Sequence, residues 1–324
     1  MAMAGDDGSG SDAFCADLAA AVGEPLAATA PRTDRWLLVE AHGQWEPDAI
    51  ETPGLGDAAR ERIRAWLAAV PFSRLLLIRR PERRDTAGIH VYAADARPGH
   101  ESLRCAVVGA HDELAGLDLE GGGWGEPVAG PLLLVCHHGR RDACCARLGK
   151  PLYEALVAAT GGGAPGAAAG SGAPAAGGAP STARADAVGT AVWQCSHVGG
   201  HRFAANVVWL PEGIYLGRVA PGEAAAVVAA ARAGRISLAH ARGRSSLPPA
   251  AQAADLALRL QLGLDDLADV AVAGVEEGES GSLVRLVAAG REHAFRVSAQ
   301  PAPPSVASCG EQPKPLTRLV AVPA

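Results

Sequence analysis

Blocks of apolar and polar residues alternate along this chain, and their order predicts an α/β protein. Residues 35–41 (RWLLVEA) form an apolar run typical of a buried strand. In residues 57–70 (DAARERIRAWLAAV), apolar side chains recur every three or four positions, as on one face of a helix. Three more apolar runs follow at 74–80, 89–94 and 103–109. A strand, a helix and then several strands predict an N-terminal α/β domain.

A second α/β unit is predicted after the glycine-rich segment 120–130. It begins with the apolar run PLLLVC at 131–136 and continues with a helix over 142–160, for which Asp142 is a suitable N-cap. Three strands and a helix complete the unit, at 189–196, 203–210, 213–219 and 222–234. The last two strands are separated by the turn at 211–213, which predicts a hairpin beside parallel strands, as in a thioredoxin-like domain.

Weaker patterns occupy the two ends of the chain. Helices are predicted over 13–22 and 250–262, and strands near Val270, Val284 and Phe295. The predicted C-terminal elements form a small α+β extension.

The breaks between these blocks divide the chain into four parts. We expect a disordered leader at 1–12, an N-terminal α/β domain at 13–125, a thioredoxin-like domain at 126–240 and the α+β extension at 241–324. We interpret the Gly/Ala/Pro tract at 161–182 as a flexible insertion, because no GK[ST] triplet ends it as in a phosphate-binding loop.

Composition and charge exclude several classes of protein. The chain has 29 basic and 35 acidic residues, a formal net charge of −6 and no long basic stripe, which argues against nucleic acid or an anionic membrane as a partner. No apolar stretch approaches the roughly 18 residues of a spanning helix. The opening MAMAGDDGSGSD is polar and acidic, unlike a signal peptide. We therefore expect a cytoplasmic protein.

Seven cysteines, an odd number, argue against a disulfide framework and for metal or redox chemistry. CHHGRRDACC at 136–145 and QCSHVGGH at 194–201 together hold four of the seven cysteines and four of the ten histidines. Cys136 ends a predicted strand and Cys145 lies in the first turn of the next helix, so a tight loop around Gly139 brings both thiols to one site. We interpret four of the five cysteines outside this pair individually as small buried apolar residues, namely Cys15, Cys105, Cys144 and Cys195.

His197 and His201 flank a double glycine, Gly199 and Gly200, which opposes an ordinary helix and lets the backbone come close to whatever the imidazoles hold. Thiolates and neutral imidazoles suit zinc or an iron–sulfur cluster. The eight residues between the two cysteines exceed the usual spacing in zinc knuckles. Two cysteines and two histidines are the ligand set of a Rieske [2Fe–2S] cluster, although Rieske motifs place one of each in both segments.

These segments, the block HVGGHRFAANVVWLPEGIYLGRV at 197–219 and the terminal SCG at 308–310 resemble the sucrase/ferredoxin-like proteins. The resemblance extends over most of the chain. It implies a thioredoxin-like ferredoxin domain that binds a [2Fe–2S] cluster through two cysteines and two histidines. On this sequence the implied ligands are Cys136, Cys145, His197 and His201.

The implied function is electron transfer to or from a redox partner protein, without a substrate site of the chain's own. Two thiolates and two neutral imidazoles leave an oxidised cluster uncharged, so its potential is expected above the roughly −400 mV of plant-type ferredoxins. Electron uptake is expected to be coupled to proton uptake at the histidines. Four neighbours are candidate supports for the cluster: Arg140, Asp142, Gly199 and Gly200.

Two alternatives remain open. A structural Zn²⁺ held by the same four residues would make a colourless binding module. A thiol enzyme would use Cys136 as nucleophile with a nearby histidine as base. Cys144 also competes with Cys145 as the second thiolate, since its spacing from Cys136 is only one residue shorter.

Overall fold

The structure is a computed structural model that describes residues 13–81, 88–121, 123–161 and 189–324. The predicted leader at 1–12 lies outside the described residues. So does the predicted insertion at 161–182, apart from its first residue.

The predicted helices and strands are present in the predicted order, together with three strands that were not predicted, at 126–127, 241–244 and 314–323, and the α/β fold class is confirmed. The helices are α1 (Cys15–Ala21), α2 (Asp57–Ala69), α3 (Ala143–Ala159), α4 (Ala224–Arg232) and α5 (Pro249–Leu262). The strands before the second unit are β1 (Arg35–Glu40), β2 (Ser73–Arg79), β3 (Ile89–Asp95), β4 (Ser102–Val108) and β5 (Glu126–Pro127). The next strands are β6 (Leu132–Cys136), β7 (Ala191–Cys195), β8 (Val207–Leu210), β9 (Ile214–Leu216) and β10 (Ala241–Arg244). The last strands are β11 (Val270–Gly278), β12 (Gly281–Ala288), β13 (Arg291–Ser305) and β14 (Lys314–Pro323).

Ten of the described strands form one sheet in the order β10-β9-β8-β6-β7-β2-β1-β3-β4-β5. β1 and β2 pair in parallel across α2, and β6 and β7 pair in parallel across α3. In both halves the first strand of that pair also borders an antiparallel strand, β3 or β8, which continues into a hairpin. The hairpin predicted around 211–213 is therefore present as β8 and β9.

The two halves of this sheet meet where β2 pairs antiparallel with β7, through Ile78 with Cys195 and Arg79 with Gln194. The predicted boundary at residue 125 thus falls between strands of one continuous sheet, since β5 pairs with β4 and β6 with β7. β10, which opens the predicted extension, is also a strand of this sheet. The division into separate domains stays a prediction.

Alternate residues of the strands face opposite sides of the sheet, and each side has its own core. On the helical side, Trp66 of α2 packs with Leu37 and Leu77, and Leu156 of α3 packs with Leu133. These contacts explain why the apolar face of each helix lies against the parallel strand pair that it connects.

The opposite side carries one core shared by both halves. Trp36 of the first half and Trp193 and Tyr215 of the second belong to it, and the rings of Trp36 and Tyr215 lie 6.1 Å apart. Cys136 and Cys145 belong to the same core. The fold therefore holds both sulfur atoms in an apolar environment near the carboxyl end of β6.

The extension contains the second sheet, β11-β12-β13-β14, which is antiparallel throughout. Leu258 of α5 packs with Val284 and Phe295 of this sheet. Sequence analysis predicts its first three strands but not β14, whose edge position tolerates Pro315 and Pro323.

Candidate metal centre

The first half of the site is built by the end of β6 and the beginning of α3. Cys136 is the last residue of a fully buried strand, and its backbone N–H donates to the carbonyl of Asn206 at 3.1 Å. Asp142 is the N-cap of α3, as predicted, and its carboxylate accepts a hydrogen bond from the Cys144 N–H at 2.9 Å. This cap fixes the first turn of α3, in which Cys145 lies.

Gly149 sets how closely α3 approaches β6. A Cβ atom at this position would lie 2.2 Å from the Cys136 carbonyl oxygen, far inside van der Waals contact. Any larger residue must push the helix away from the strand end, and with it Cys145 away from Cys136. The importance of Gly149 could not be predicted from the sequence, because a single glycine inside a helical pattern gives no local sign of a close contact.

The structure brings three of the four predicted ligands together directly. One ligand atom each from Cys136, Cys145 and His197 lies within 4.8 Å of the others. The ring of His201 is next to that of His197, with centroids 5.2 Å apart. We call Cys136, Cys145, His197 and His201 the Cys/His site; their role as ligands stays a prediction.

The two histidines of the Cys/His site each present a buried nitrogen. Nδ1 of His197 and Nδ1 of His201 have no hydrogen-bond partner among the described residues. A buried polar atom without a partner costs about 1–3 kcal/mol, so such atoms in a folded protein need an explanation. The Nε2 of His201 lies on the side of Asp142, 3.8 Å from Oδ2.

The His197 backbone is held by two elements. Its N–H donates to Nδ1 of His138 at 3.2 Å, and its carbonyl oxygen accepts from Arg74 at 3.1 Å. Nε2 of His138 in turn lies 3.4 Å from the carbonyl oxygen of Trp45. The imidazole of His197 is therefore positioned by residues from both halves of the large sheet.

The electrostatics of the cysteine pair favour one thiolate. The hydrogen bond from Cys145 lowers the pKa of Cys136 well below the usual value, and this effect outweighs burial, which acts in the opposite direction. The same bond and then burial raise the pKa of Cys145. Burial lowers the pKa of His201, which keeps its imidazole neutral, the form that binds metals.

The HVGGH loop takes its shape from the two glycines. Gly199 and Gly200 have φ angles of +93° and +73°, a region that side chains rarely adopt. A Cβ at Gly200 would lie 2.5 Å from Nη2 of Arg242, and one at Gly199 would lie 2.9 Å from Pro31. The sequence predicts that the backbone at these glycines comes close to whatever the imidazoles hold. In the structure, the close neighbours of the two glycines are the side chains of Arg242 and Pro31.

Arg242 is almost fully buried beneath this loop, and sequence analysis did not single it out. Its guanidinium donates to the Gly199 carbonyl oxygen at 2.9 Å and to Oδ1 of Asn206 at 2.8 Å. The side chain of Asn206 also donates to the Gly200 carbonyl oxygen at 3.0 Å. The buried cation therefore holds the loop that carries His197 and His201.

The N-terminal half covers the loop between Cys136 and α3. The Trp45 ring meets that of His138 edge-on at 6.0 Å, and Arg79 lies over the same tryptophan at 4.2 Å. Arg79 also donates to Nδ1 of His137 at 3.2 Å. Arg140 forms an ion pair with Glu46 of this half, and its supporting role for the cluster stays a prediction.

A second group of metal-binding side chains lies beside the Cys/His site. It consists of Cys15, Cys144 and Cys309 together with Asp142, and we call it the three-cysteine group. Cys15 and Cys144 are buried, as predicted, but as members of this group and not as isolated apolar residues. The structure therefore places Cys145, and not Cys144, beside Cys136.

Comparisons with known proteins identify one match. The family model described as Sucrase/ferredoxin-like matches residues 26–243, a segment that includes the whole Cys/His site but neither Cys15 nor Cys309. Neither the comparison with curated proteins nor that with solved structures finds a match. Among the described helices, none combines the length and the apolar character needed to cross a membrane.

Proposed function

Because this chain belongs to the sucrase/ferredoxin-like family, we propose that it is an electron-transfer protein whose Cys/His site holds a [2Fe–2S] cluster. The observation that carries the proposal is that one ligand atom each from Cys136, Cys145 and His197 lies within 4.8 Å of the others, with the ring of His201 5.2 Å from that of His197. Two nitrogens and two sulfurs in one buried place are donors for a soft or borderline metal.

The donor set supports iron–sulfur chemistry. Two thiolates and two imidazoles are a ligand set that a [2Fe–2S] cluster accepts. The hydrogen bond from Cys145 lowers the pKa of Cys136, which favours its thiolate form, and metal binding would deprotonate both thiols. When bound, the cluster supplies one-electron redox chemistry; the chain supplies the binding, the burial and the proton positions.

We expect protons and electrons to enter the Cys/His site from the side of its two histidines. His197 and His201 are partly exposed, whereas Cys136 and Cys145 are about 1% exposed. An imidazole that binds through Nδ1 keeps its proton on Nε2. The Nε2 of His201 faces Asp142, whose negative charge favours keeping that proton.

The proton on Nε2 of His201 makes a pH-dependent reduction potential an expected consequence. Added negative charge at the Cys/His site raises the proton affinity of its histidines, so one proton accompanies each electron over part of the pH range. We expect the potential to fall with rising pH by up to about 59 mV per unit. Spectroelectrochemistry between about pH 6 and pH 10 checks this, and a flat potential would contradict the coupling.

The primary experiment is metal analysis of the full chain purified without oxygen. We expect a coloured protein with about two irons and two acid-labile sulfides per chain. Cys105→Ser, a cysteine outside both groups, is the matched control and should keep both. A colourless wild-type protein with zinc bound to two sulfurs and two imidazoles would replace this proposal with a structural zinc module.

We further propose a protein redox partner that docks at the histidine side, and a cytoplasmic location, because an odd number of cysteines suits a reducing compartment. A pull-down with the cluster-loaded protein, compared with a His201→Ala variant, tests the docking side. Cell fractionation of the producing organism tests the location.

A further inference from the structure

The three-cysteine group lies at the first turn of α3, the same turn that carries Cys145. Its members come from three distant parts of the chain: Cys15 in α1, Cys144 in α3 and Cys309 in the segment before β14. We propose that this group, with Asp142 as fourth ligand, is a structural zinc site. The proposal goes beyond the electron-transfer function and does not rest on it.

The sulfur atoms have the spacing that a tetrahedral zinc requires. The Sγ atoms lie 3.5 Å apart for Cys15 and Cys144, 3.4 Å for Cys144 and Cys309, and 3.6 Å for Cys309 and Cys15. Four ligands at a Zn–S distance of about 2.3 Å place sulfur atoms about 3.8 Å apart. The observed triangle needs an expansion of only a few tenths of an ångström.

Asp142 occupies the fourth corner. Its Oδ1 lies 3.3 Å from the Sγ of Cys309 and 3.7 Å from the Sγ of Cys15. A tetrahedral zinc with Zn–O of about 2.0 Å and Zn–S of about 2.3 Å predicts a sulfur–oxygen distance of about 3.5 Å. All four donor atoms lie within 4.8 Å of one another, close enough to share one ion.

Other hydrogen bonds hold the Asp142 carboxylate in this orientation. Oδ1 accepts from the Cys144 N–H at 2.9 Å, and Oδ2 accepts from the Cys309 N–H at 3.0 Å and the Ser308 hydroxyl at 3.1 Å. Metal-binding carboxylates are commonly oriented by such donors. Oδ1 also lies within 3.7 Å of the sulfur atoms of Cys15 and Cys309.

The near equality of the three Sγ–Sγ distances favours a metal over a disulfide. A disulfide would join one pair and leave the third thiol and the carboxylate unused, and no pair is singled out by a shorter separation. Three thiolates and one carboxylate make a closed, four-coordinate set without an open position, as in structural zinc sites. Binding releases the thiol protons to solvent.

The wild-type chain gives the decisive measurement. After anaerobic incubation with one equivalent of ZnCl₂ and removal of loose metal, we expect about one zinc per chain. X-ray absorption spectroscopy of the bound zinc should show three sulfur ligands and one oxygen ligand. Absence of zinc, or a zinc bound to two sulfurs and two imidazole nitrogens, would overturn the proposal.

Variants then assign the ligands. Cys15→Ser and Cys309→Ser should each lower the zinc content at least five-fold and leave iron and sulfide unchanged, while Cys105→Ser should change neither metal. Zinc retained in both variants contradicts the site. Iron and zinc are measured separately. The zinc contents of these variants therefore test the zinc site even if the protein holds no [2Fe–2S] cluster.

Discussion

Cys144 and Cys145 are neighbours in the chain, yet they belong to two groups with different origins. Cys145 joins Cys136 and His197, whereas Cys144 joins Cys15 and Cys309. Successive residues of a helix project about 100° apart, so one turn of α3 serves both groups. The Cys/His site comes from two short motifs inside the family match, whereas two of the four members of the three-cysteine group, Cys15 and Cys309, lie outside it.

Asp142 lies between the two groups. Its Oδ2 is 3.8 Å from Nε2 of His201, and its Oδ1 faces the sulfurs of Cys15 and Cys309. A site concentrated in short segments is visible in the sequence, whereas one assembled across the fold is not. Neighbouring cysteines also need not share a function.

The largest expected effect separates the two cysteines. Cys145→Ser should lower the iron content by more than ten-fold, because it removes a thiolate beside Cys136, whereas Cys144→Ser should retain iron and lose zinc. Iron, sulfide and zinc assays on both variants check this. If Cys144→Ser loses iron as Cys145→Ser does, the assignment of the two cysteines to separate groups is wrong.

Gly149→Ala is expected to disrupt the Cys/His site and to leave the three-cysteine group intact. The added methyl group would meet the Cys136 carbonyl oxygen, and overpacking of this kind destabilises by about 1–3 kcal/mol. Moving α3 away from β6 should lower iron occupancy several-fold with zinc unchanged. Chemical unfolding and metal assays measure both effects.

The matched control for that variant is Gly222→Ala, where a Cβ would have no neighbour within 4 Å. It should change stability by less than about 0.5 kcal/mol. Equal iron contents in the two alanine variants would show that the close contact at Gly149 does not position Cys145.

Asp142→Asn tests the shared carboxylate in metal-free protein. Burial alone would raise the pKa of Asp142, but hydrogen bonds from the Cys309 and Cys144 N–H groups lower it to about 2. A folded pKa below the unfolded value of 3.8 means that the charge stabilises the fold above about pH 4, and that this contribution disappears as the pH falls towards 2.

We therefore expect Asp142→Asn to lose about 1 kcal/mol of unfolding free energy at neutral pH, since a hydrogen bond to a charged group is stronger than one to an amide. The difference from wild type should shrink at pH 3. Urea unfolding in the presence of EDTA measures it at both values. An equal difference at the two pH values contradicts a contribution from the charge.

The smallest effect is expected for Arg140→Ala. Its partner is Glu46, and the side chains are 41% and 29% exposed, so the ion pair should contribute less than about 1 kcal/mol. Iron and zinc contents should equal those of wild type. Loss of iron would restore the supporting role that the sequence motif assigns to this arginine.

Much of the fold could be predicted because eight of the ten strands of the large sheet are local apolar runs; β5 (EP) and β10 (ARGR) are not, and they were missed. The pairing of β2 with β7 could not be predicted, because only two residue pairs form it and neither has a distinctive sequence pattern. β14 was missed because it opens with the polar, proline-containing residues Lys314 and Pro315. Edge strands bury few side chains, so their apolar signal is weak.

The Cys/His site could be predicted because four soft ligands fall within two short segments. Cys15 and Cys309 could not be placed, since a single cysteine in a sequence resembles a small buried apolar residue. Arg242 was missed for a similar reason: an arginine in a strand is typical of a surface, and only the fold shows it buried beneath Gly200.

The meeting of Cys15 and Cys309 has a consequence for the unfolded chain. They are 294 residues apart in sequence and 3.6 Å apart in space, so a ligand that bridges them closes almost the whole polypeptide into a ring. Loop-closure entropy for a permanent cross-link of that length is worth at most roughly 6 kcal/mol at 25 °C. A bound ion differs from such a cross-link, because it is released when its ligands separate on unfolding and therefore stabilises the protein by its free energy of binding to the folded chain.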